Sequence, residues 1–215
     1  VTIPYKTDIM NYLDSVSEIA RTIGAVNTIE LGENKRGHNT DYFGFGKALQ
    51  QCGFDPKNKK CAVLGSGGAS RAVISYLEDH GAADIMIVSR DPDGITFKYP
   101  GLRGVSLYSF TAGAIDMIVN TTPVGMYPEP GKSPLSKDQL IGASFVIDLI
   151  YNPIETLLLT YARELGIPCD NGLYMLVAQA VSAQEIWQGR KFGDDLVSDI
   201  YDEIKRFFGR EAPSE

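Results

Sequence analysis

The chain has 215 residues, 44% hydrophobic and 22% charged, which is ordinary for a globular protein and long enough to bury a real core in one large domain or two small ones. A net charge of −7 and a pI near 4.9 argue against a nucleic-acid binder that works by neutralising phosphates, though a local basic pocket for a phosphorylated cofactor is compatible with them. Three widely spaced cysteines (Cys52, Cys61, Cys169) and two histidines (His38, His80) fit neither a disulfide framework nor a zinc or His-rich metal site, so the expectation is no metal and a reducing, cytoplasmic setting. No apolar run reaches the roughly 18 residues of a membrane span, and the start shows no charged region followed by an apolar one, so no signal peptide is expected.

The first residues, "VTIPYK", have the β-branched character of a strand that Pro4 then stops, with Lys6 just beyond. Residues 7–23 read as helical up to Gly24. "AVNTIEL" and "KRGHNTD" are short strand-like pieces around the turn "GEN", and "YFGFGKALQQCG" is a helix. From residue 59 strands and helices alternate: "KKCAVLG" a strand, "ASRAVISYLEDHG" an amphipathic helix closed by Gly81, and "ADIMIVSR" a strand. Residues 91–110 are ambiguous, with a short strand at "GVSLYSF". Then come "AIDMIVNTTP" as a strand, "SKDQLIG" as a short helix, "SFVIDLIY" as a strand and "NPIETLLLTYARELG" as a helix. "LYMLVAQAVSAQEIWQG" and "DDLVSDIYDEIKRFFG" close the chain as two amphipathic helices before a polar tail, "GREAPSE", expected to fray.

The central strands are apolar throughout rather than alternating, which implies helices on both faces. The fold class is therefore α/β, a Rossmann-like doubly wound parallel sheet with an incomplete α/β second domain at the front. In "VLGSGGASRA" the run Gly65-Ser66-Gly67-Gly68-Ala69 stands between strand and helix, where glycines permit a tight turn and close approach of a pyrophosphate to the helix N-terminus. Ser70 occupies the third glycine position of the usual fingerprint. At the end of the second strand stand Ser89 and Arg90, where an acid would mark an unphosphorylated ribose. Arg90 can pair with a phosphate and Ser89 can donate to it, so NADP is favoured and NAD stays open; Asp91 and Asp93 would repel that phosphate if they faced it. A hydride carrier needs an acid/base group, and polar residues recur at turns in apolar surroundings: Thr2 and Lys6, Asn27 and Thr28, Asn39-Thr40-Asp41. On spacing alone, Asp41 is equally a plain N-cap.

"VTIPYK", "GAVNT", "GHNTDYFGF", "GSGGASRA", "NTTPVGM", "DLIYNP" with its following Thr156, and "GLYMLVAQA" occur in the order and approximate spacing of the shikimate dehydrogenase family, which the chain resembles from residue 1 to about 190. The resemblance implies a substrate-binding domain followed by a Rossmann domain for NADP, with the last helices returning to the first domain. It implies NADPH-dependent reduction of 3-dehydroshikimate to shikimate, on the route to chorismate and the aromatic amino acids. It implies Lys6 and Asp41 as the catalytic pair, and Thr2, Asn27, Asp41, Tyr151 and Gln179 as substrate ligands. Thr121, Thr122, Gly125 and Met126 would form the cofactor-side loop after the third strand, and Gly172 and Met175 would border the nicotinamide. The departures are Tyr5 where His or Phe is frequent, Tyr174 where glycine is common, and Asp91 where Thr is usual, with no second basic residue evident near Arg90.

The expected division is 1–41 as a remnant of the substrate domain, 42–172 as the NADP domain and 173–215 as returning helices, with the lobes opening and closing near residues 42 and 172. The chain reads as N-terminally truncated, so these residues are expected to bind NADP but turn over poorly. Partners are expected to be small molecules only, with no nucleic acid or membrane, in a monomer or homodimer. Two other readings remain: a quinate/shikimate dehydrogenase using NAD, and a non-catalytic nucleotide-binding module.

Overall fold

The computed structural model describes residues 1–2 and 4–210. Its main sheet has six parallel strands: β4 (Lys60–Leu64), β5 (Asp84–Ser89), β6 (Arg103–Ser106), β7 (Met117–Asn120), β8 (Val146–Asp148) and β9 (Cys169–Asn171), in the spatial order β6-β5-β4-β7-β8-β9. The chain runs outward from β4 to β6 and then returns past β4 to β7. The strand order therefore reverses between β4 and β7, and the crevice at their carboxyl ends is where a doubly wound sheet takes its ligand.

The apolar strands are buried on both faces, as the sequence implies. Cys61 and Val63 of β4 face one core with Val73 and Leu77 of α3 (Gly68–Asp79), Phe45 and Leu49 of α2 (Asp41–Gln51), and Val177 of α6 (Leu173–Gln188). Ala62 and Leu64 face the other core, with Leu158 and Leu159 of α5 (Leu157–Glu164) and Leu140 of a short 3₁₀ turn. The last helix, α7 (Asp194–Arg210), lays Val197, Leu196, Ile200 and Ile204 on the first of these cores.

Ahead of this sheet lies a small one in the order β1-β3-β2: β1 (Ser15–Val16) runs parallel to β3 (Arg36–His38), and β2 (Thr28–Glu30) antiparallel to it. Here the structure corrects three expectations. Val1 and Thr2 are not in a strand, and the chain turns at once over residues 4–7; Ile3 lies outside the described residues. Residues 7–23 are not one helix but a 3₁₀ turn (Asp8–Tyr12), β1, and α1 (Glu18–Ile23). Long-range pairing prevails over local propensity there: the Lys35 amide donates to the Asp14 carboxylate at 2.7 Å, and Val16 registers with Gly37. The Ser17 side chain then caps α1, and Gly24 ends it at φ 68°. Third, the helix after "DLIY" starts only at Leu157, because Thr156 is extended and accepts a hydrogen bond from the Leu159 amide. β9 and the one-turn helix α4 (Ile95–Lys98) add elements absent from the sequence reading. In the tail, Gly209 and Arg210 fall within α7, and 211–215 lie outside the described residues.

Candidate active site

Asp41 is the first residue of α2, yet it is not the cap. Asn39 Oδ1 accepts from the Tyr42 amide at 3.3 Å, which frees the Asp41 carboxylate to turn inward. Its Oδ2 accepts from Lys6 Nζ at 2.6 Å and its Oδ1 from Asn27 Nδ2 at 2.9 Å. Only 13% of the Lys6 side chain and 9% of the Asp41 side chain are exposed, so the pair is largely desolvated. Lys6 makes no other side-chain hydrogen bond among the described residues, which leaves two of its three N–H donors for a ligand.

Asn27 anchors the cluster. Its backbone amide bonds the His38 carbonyl at 3.0 Å, extending the β2–β3 ladder. Its side chain donates also to Thr40 Oγ1 (3.0 Å), and its Oδ1 accepts from the Thr40 amide (2.8 Å) and Thr28 Oγ1 (3.0 Å). Thr40 Oγ1 in turn lies 3.3 Å from Gln179 Oε1 on α6. The two helices approach this closely because position 44 is glycine: a Cβ there would lie 2.8 Å from the Met175 carbonyl and 2.9 Å from Gln179 Cβ. Lys6, Asn27, Asp41 and Gln179, widely separated in sequence, therefore converge, with Thr40 as a bridge that the family resemblance does not assign to the site. Thr2 does not join them; it is exposed and its side chain has no hydrogen-bond partner among the described residues.

The glycine loop is the second half of the site. The Gly65 amide bonds the Val88 carbonyl at 2.9 Å, so the loop starts beside the end of β5, and its φ of 98° needs glycine. Thr121, after β7, ties across the switch point through its amide (3.1 Å) and Oγ1 (2.7 Å) to the Leu64 carbonyl. Thr122 is held by Asn120 Oδ1, and Asn120 Nδ2 donates to the fully buried Asp148 at 2.9 Å. Asp148 also accepts from Thr156 Oγ1 (2.7 Å) and the Ile150 amide (3.1 Å). Burial nonetheless pushes its carboxyl up to about 6 against those three hydrogen bonds. This buried network, unseen in the sequence because its members are far apart, fixes the loops after β7 and β8.

The two halves approach each other at Lys6, whose stem atoms are the nearest to where a Cβ on Gly68 would stand, at 3.5 Å. Gly67 has φ −87° and a Cβ there would meet nothing, so neither strain nor packing explains that glycine. Space kept beside an uncapped helix start with no acid in its first turn fits the phosphates of a dinucleotide. Ala69 follows in the first turn of α3. Ser89, half-buried, accepts from the Asp91 amide at 3.1 Å, Arg90 is exposed, and the Asp91 carboxylate is engaged by the Gly94 amide at 3.2 Å. Tyr151 (39% exposed) and Met126 (43%) lie on the loops after β8 and β7. Two expected nicotinamide neighbours are packing residues here: the Met175 side chain sits in the core, and Gly172 lets the chain pass against the Leu149 carbonyl.

A cavity of about 680 Å³ lies elsewhere, lined by residues that include Phe43, Val181, Glu185 and Phe192 but neither Lys6 nor Asp41. Among the described residues there is no cluster fit to hold a metal ion and no helix long and apolar enough to cross a membrane.

Residues 1–29 match the family model described as the shikimate dehydrogenase substrate binding domain. A shikimate dehydrogenase (NADP(+)) of Clostridium perfringens (strain SM101 / Type A) is 41% identical over 212 residues, covering 95% of this chain and 77% of that protein. Among solved structures, a chorismate mutase/shikimate 5-dehydrogenase fusion protein from Clostridium acetobutylicum superposes with a TM-score of 0.94 at 46% identity, over 97% of this chain and 77% of that one. The shikimate 5-dehydrogenase of Thermus thermophilus, solved in complex with NADP(H) and shikimate, gives a TM-score of 0.83 at 33% identity, over 94% and 77% of the two chains. With a doubly wound sheet, a glycine loop at its switch point, a buried lysine–carboxylate pair beside that loop, and such identity over most of both chains, this protein belongs to the shikimate dehydrogenase family.

Proposed function

We propose that the protein is an NADP-dependent oxidoreductase that interconverts 3-dehydroshikimate and shikimate, with Lys6 and Asp41 as its acid/base pair. The observation that carries this reading is the position of Lys6: its ammonium is on the Asp41 carboxylate at 2.6 Å while its stem lies 3.5 Å from where a Cβ on Gly68 of the glycine loop would stand. A proton donor and a dinucleotide cradle side by side are what a coupled hydride and proton transfer requires.

Gly65, Ser66, Gly67, Gly68 and Ala69 would hold the pyrophosphate, Ser89 and Arg90 the adenosine ribose and its phosphate, and Thr121, Thr122 and Met126 the nicotinamide end, with Gly172 and Met175 shaping that wall from behind. NADP supplies or accepts the hydride. In the reducing direction Lys6 donates a proton to the oxygen as the carbonyl becomes an alcohol, and in the reverse direction it takes that proton back. Asp41 holds the ammonium in place, stabilises its charge, and offers its oxygens to a substrate hydroxyl. Asn27 and Gln179, whose amides both donate and accept, suit the polyol, and the hydroxyls of Thr2 and Tyr151 would add to them.

Arg90 at the end of β5, free of a carboxylate partner among the described residues, supports NADP over NAD. The intact Lys6–Asp41 pair disfavours a non-catalytic module. The test is a matrix of initial rates for the full gene product with shikimate or quinate against NADP or NAD. The highest kcat/KM is expected for shikimate with NADP; no turnover in any combination, or a preference for quinate with NAD, would overturn the assignment.

A further inference from the structure

Beyond Ser89 the chain turns through Asp91–Gly94 into α4, and Ile95, only 2% exposed, pins that helix to the core. The next residues bring it onto the glycine loop. Tyr99, 8% exposed, sets its hydroxyl 3.1 Å from the Ser66 carbonyl and 3.2 Å from Ser70 Oγ. Lys98 Nζ donates to the same Ser66 carbonyl and lies 5.8 Å from the Tyr99 ring centroid. From the first turn of α3 the Arg71 guanidinium approaches that ring as well, at 5.4 Å.

Two cations thus share one aromatic ring, and neither has a carboxylate within ion-pair distance among the described residues. Desolvation and then Arg71 lower the Lys98 pKa from its usual value, and the charge of an anion arriving there would offset both. The acids of the adjoining turn do not supply it: Asp91 is engaged by the Gly94 amide, and Asp93 is exposed.

The location says which anion fits. The pyrophosphate belongs to the start of α3, and the ribose beyond it belongs to the end of the second strand. Ser66 lies between those places, since the neighbouring Gly65 amide is bonded to Val88 of β5. We propose that Lys98 is the second cation, with Arg90, that holds the phosphate on the adenosine ribose, and that it sets the preference for the phosphorylated over the unphosphorylated dinucleotide. This rests on the cofactor half of the reading above. The sequence hid the residue because α4 and its turn separate Lys98 from Arg90, while the fold returns it to the loop.

The test is calorimetric binding to the full gene product, with no turnover needed. The ligands are NADP, NAD, adenosine 2′,5′-bisphosphate and AMP; the variants are Lys98→Met, which removes the charge from an unbranched side chain of similar length, and Lys98→Arg. Lys98→Met is expected to weaken NADP and the bisphosphate by about tenfold, the loss of one charge-assisted hydrogen bond, and to leave NAD and AMP unchanged. Lys98→Arg is expected to restore most of the difference. Equal weakening of NADP and NAD would make Lys98 a mere brace of the loop and overturn the proposal, as would no change in either. A wild-type protein that binds neither dinucleotide overturns it together with the cofactor reading. One that shows the Lys98 dependence yet leaves shikimate unoxidised overturns the substrate reading alone.

Discussion

Asp41 shows how a single residue separates two readings. As a bare sequence position it is a good N-cap; in the fold Asn39 does the capping and Asp41 bonds Lys6 and Asn27. Lys6, Asn27 and Asp41 stand out in the sequence as polar side chains in apolar or glycine-rich segments, but only the family resemblance assigns them to one site. Asp148, Asn120 and Thr156 were not legible, since nothing local shows that they will be buried together. Two predictions belong at this scale. Asp148 ionises near 3.8 when exposed and near 6 in the fold, so the folded state holds its proton more tightly. Its contribution to stability is full below pH 3.8 and is lost as pH rises to about 6, a change on the order of 3 kcal/mol. Stability at pH 7 relative to that at pH 4 should therefore be higher in Asp148→Asn than in the wild type; an identical pH dependence would contradict the burial argument. Gly67→Ala should melt within a degree or so of the wild type, since its Cβ meets no protein atom, yet bind NADP at least about tenfold more weakly. Unchanged affinity would mean that the open space beside Gly67 is not the phosphate cradle.

At the scale of elements, the main sheet was readable because two-sided burial writes continuous apolar runs into β4, β5 and β7. β9 gives no such signal because three residues, "CDN", carry no apolar run, and its place comes from pairing with β8. The stretch 7–23 departs from its helical pattern because a two-residue strand is set by its distant partner, β3, rather than by local periodicity. The contact between α2 and α6 has no local signal either, although its cause is one residue. Gly44→Ala would drive a Cβ against the Met175 backbone carbonyl, which cannot yield as a side chain could. A loss of about 1–3 kcal/mol in chemical denaturation is expected, with weaker substrate binding as Gln179 shifts from Thr40. Wild-type stability in that variant would contradict the packing.

For the whole molecule, the small sheet and the large one are joined through the site itself. α6 reaches the small sheet through Trp187 Nε1, which donates to the Ile29 carbonyl at 2.9 Å, and the turn after β3 through Gln179, while α7 packs on the core of the large sheet. We propose the division at residues 41 and 172 as the line along which the lobes close on their ligands. Small-angle scattering of the gene product should then show a smaller radius of gyration with NADP and shikimate together than with neither, and an unchanged radius would contradict the closing motion. The junction of the lobes is Lys6 beside Gly68, and one comparison addresses it most directly: Lys6→Met against the wild type, with kcat for shikimate oxidation and NADP affinity measured on the same preparations. A proton-transfer role predicts a fall in kcat of about 10²–10⁴-fold with NADP affinity nearly unchanged. Turnover close to wild type, or an equal loss of NADP binding, would show that Lys6 is not the acid/base group.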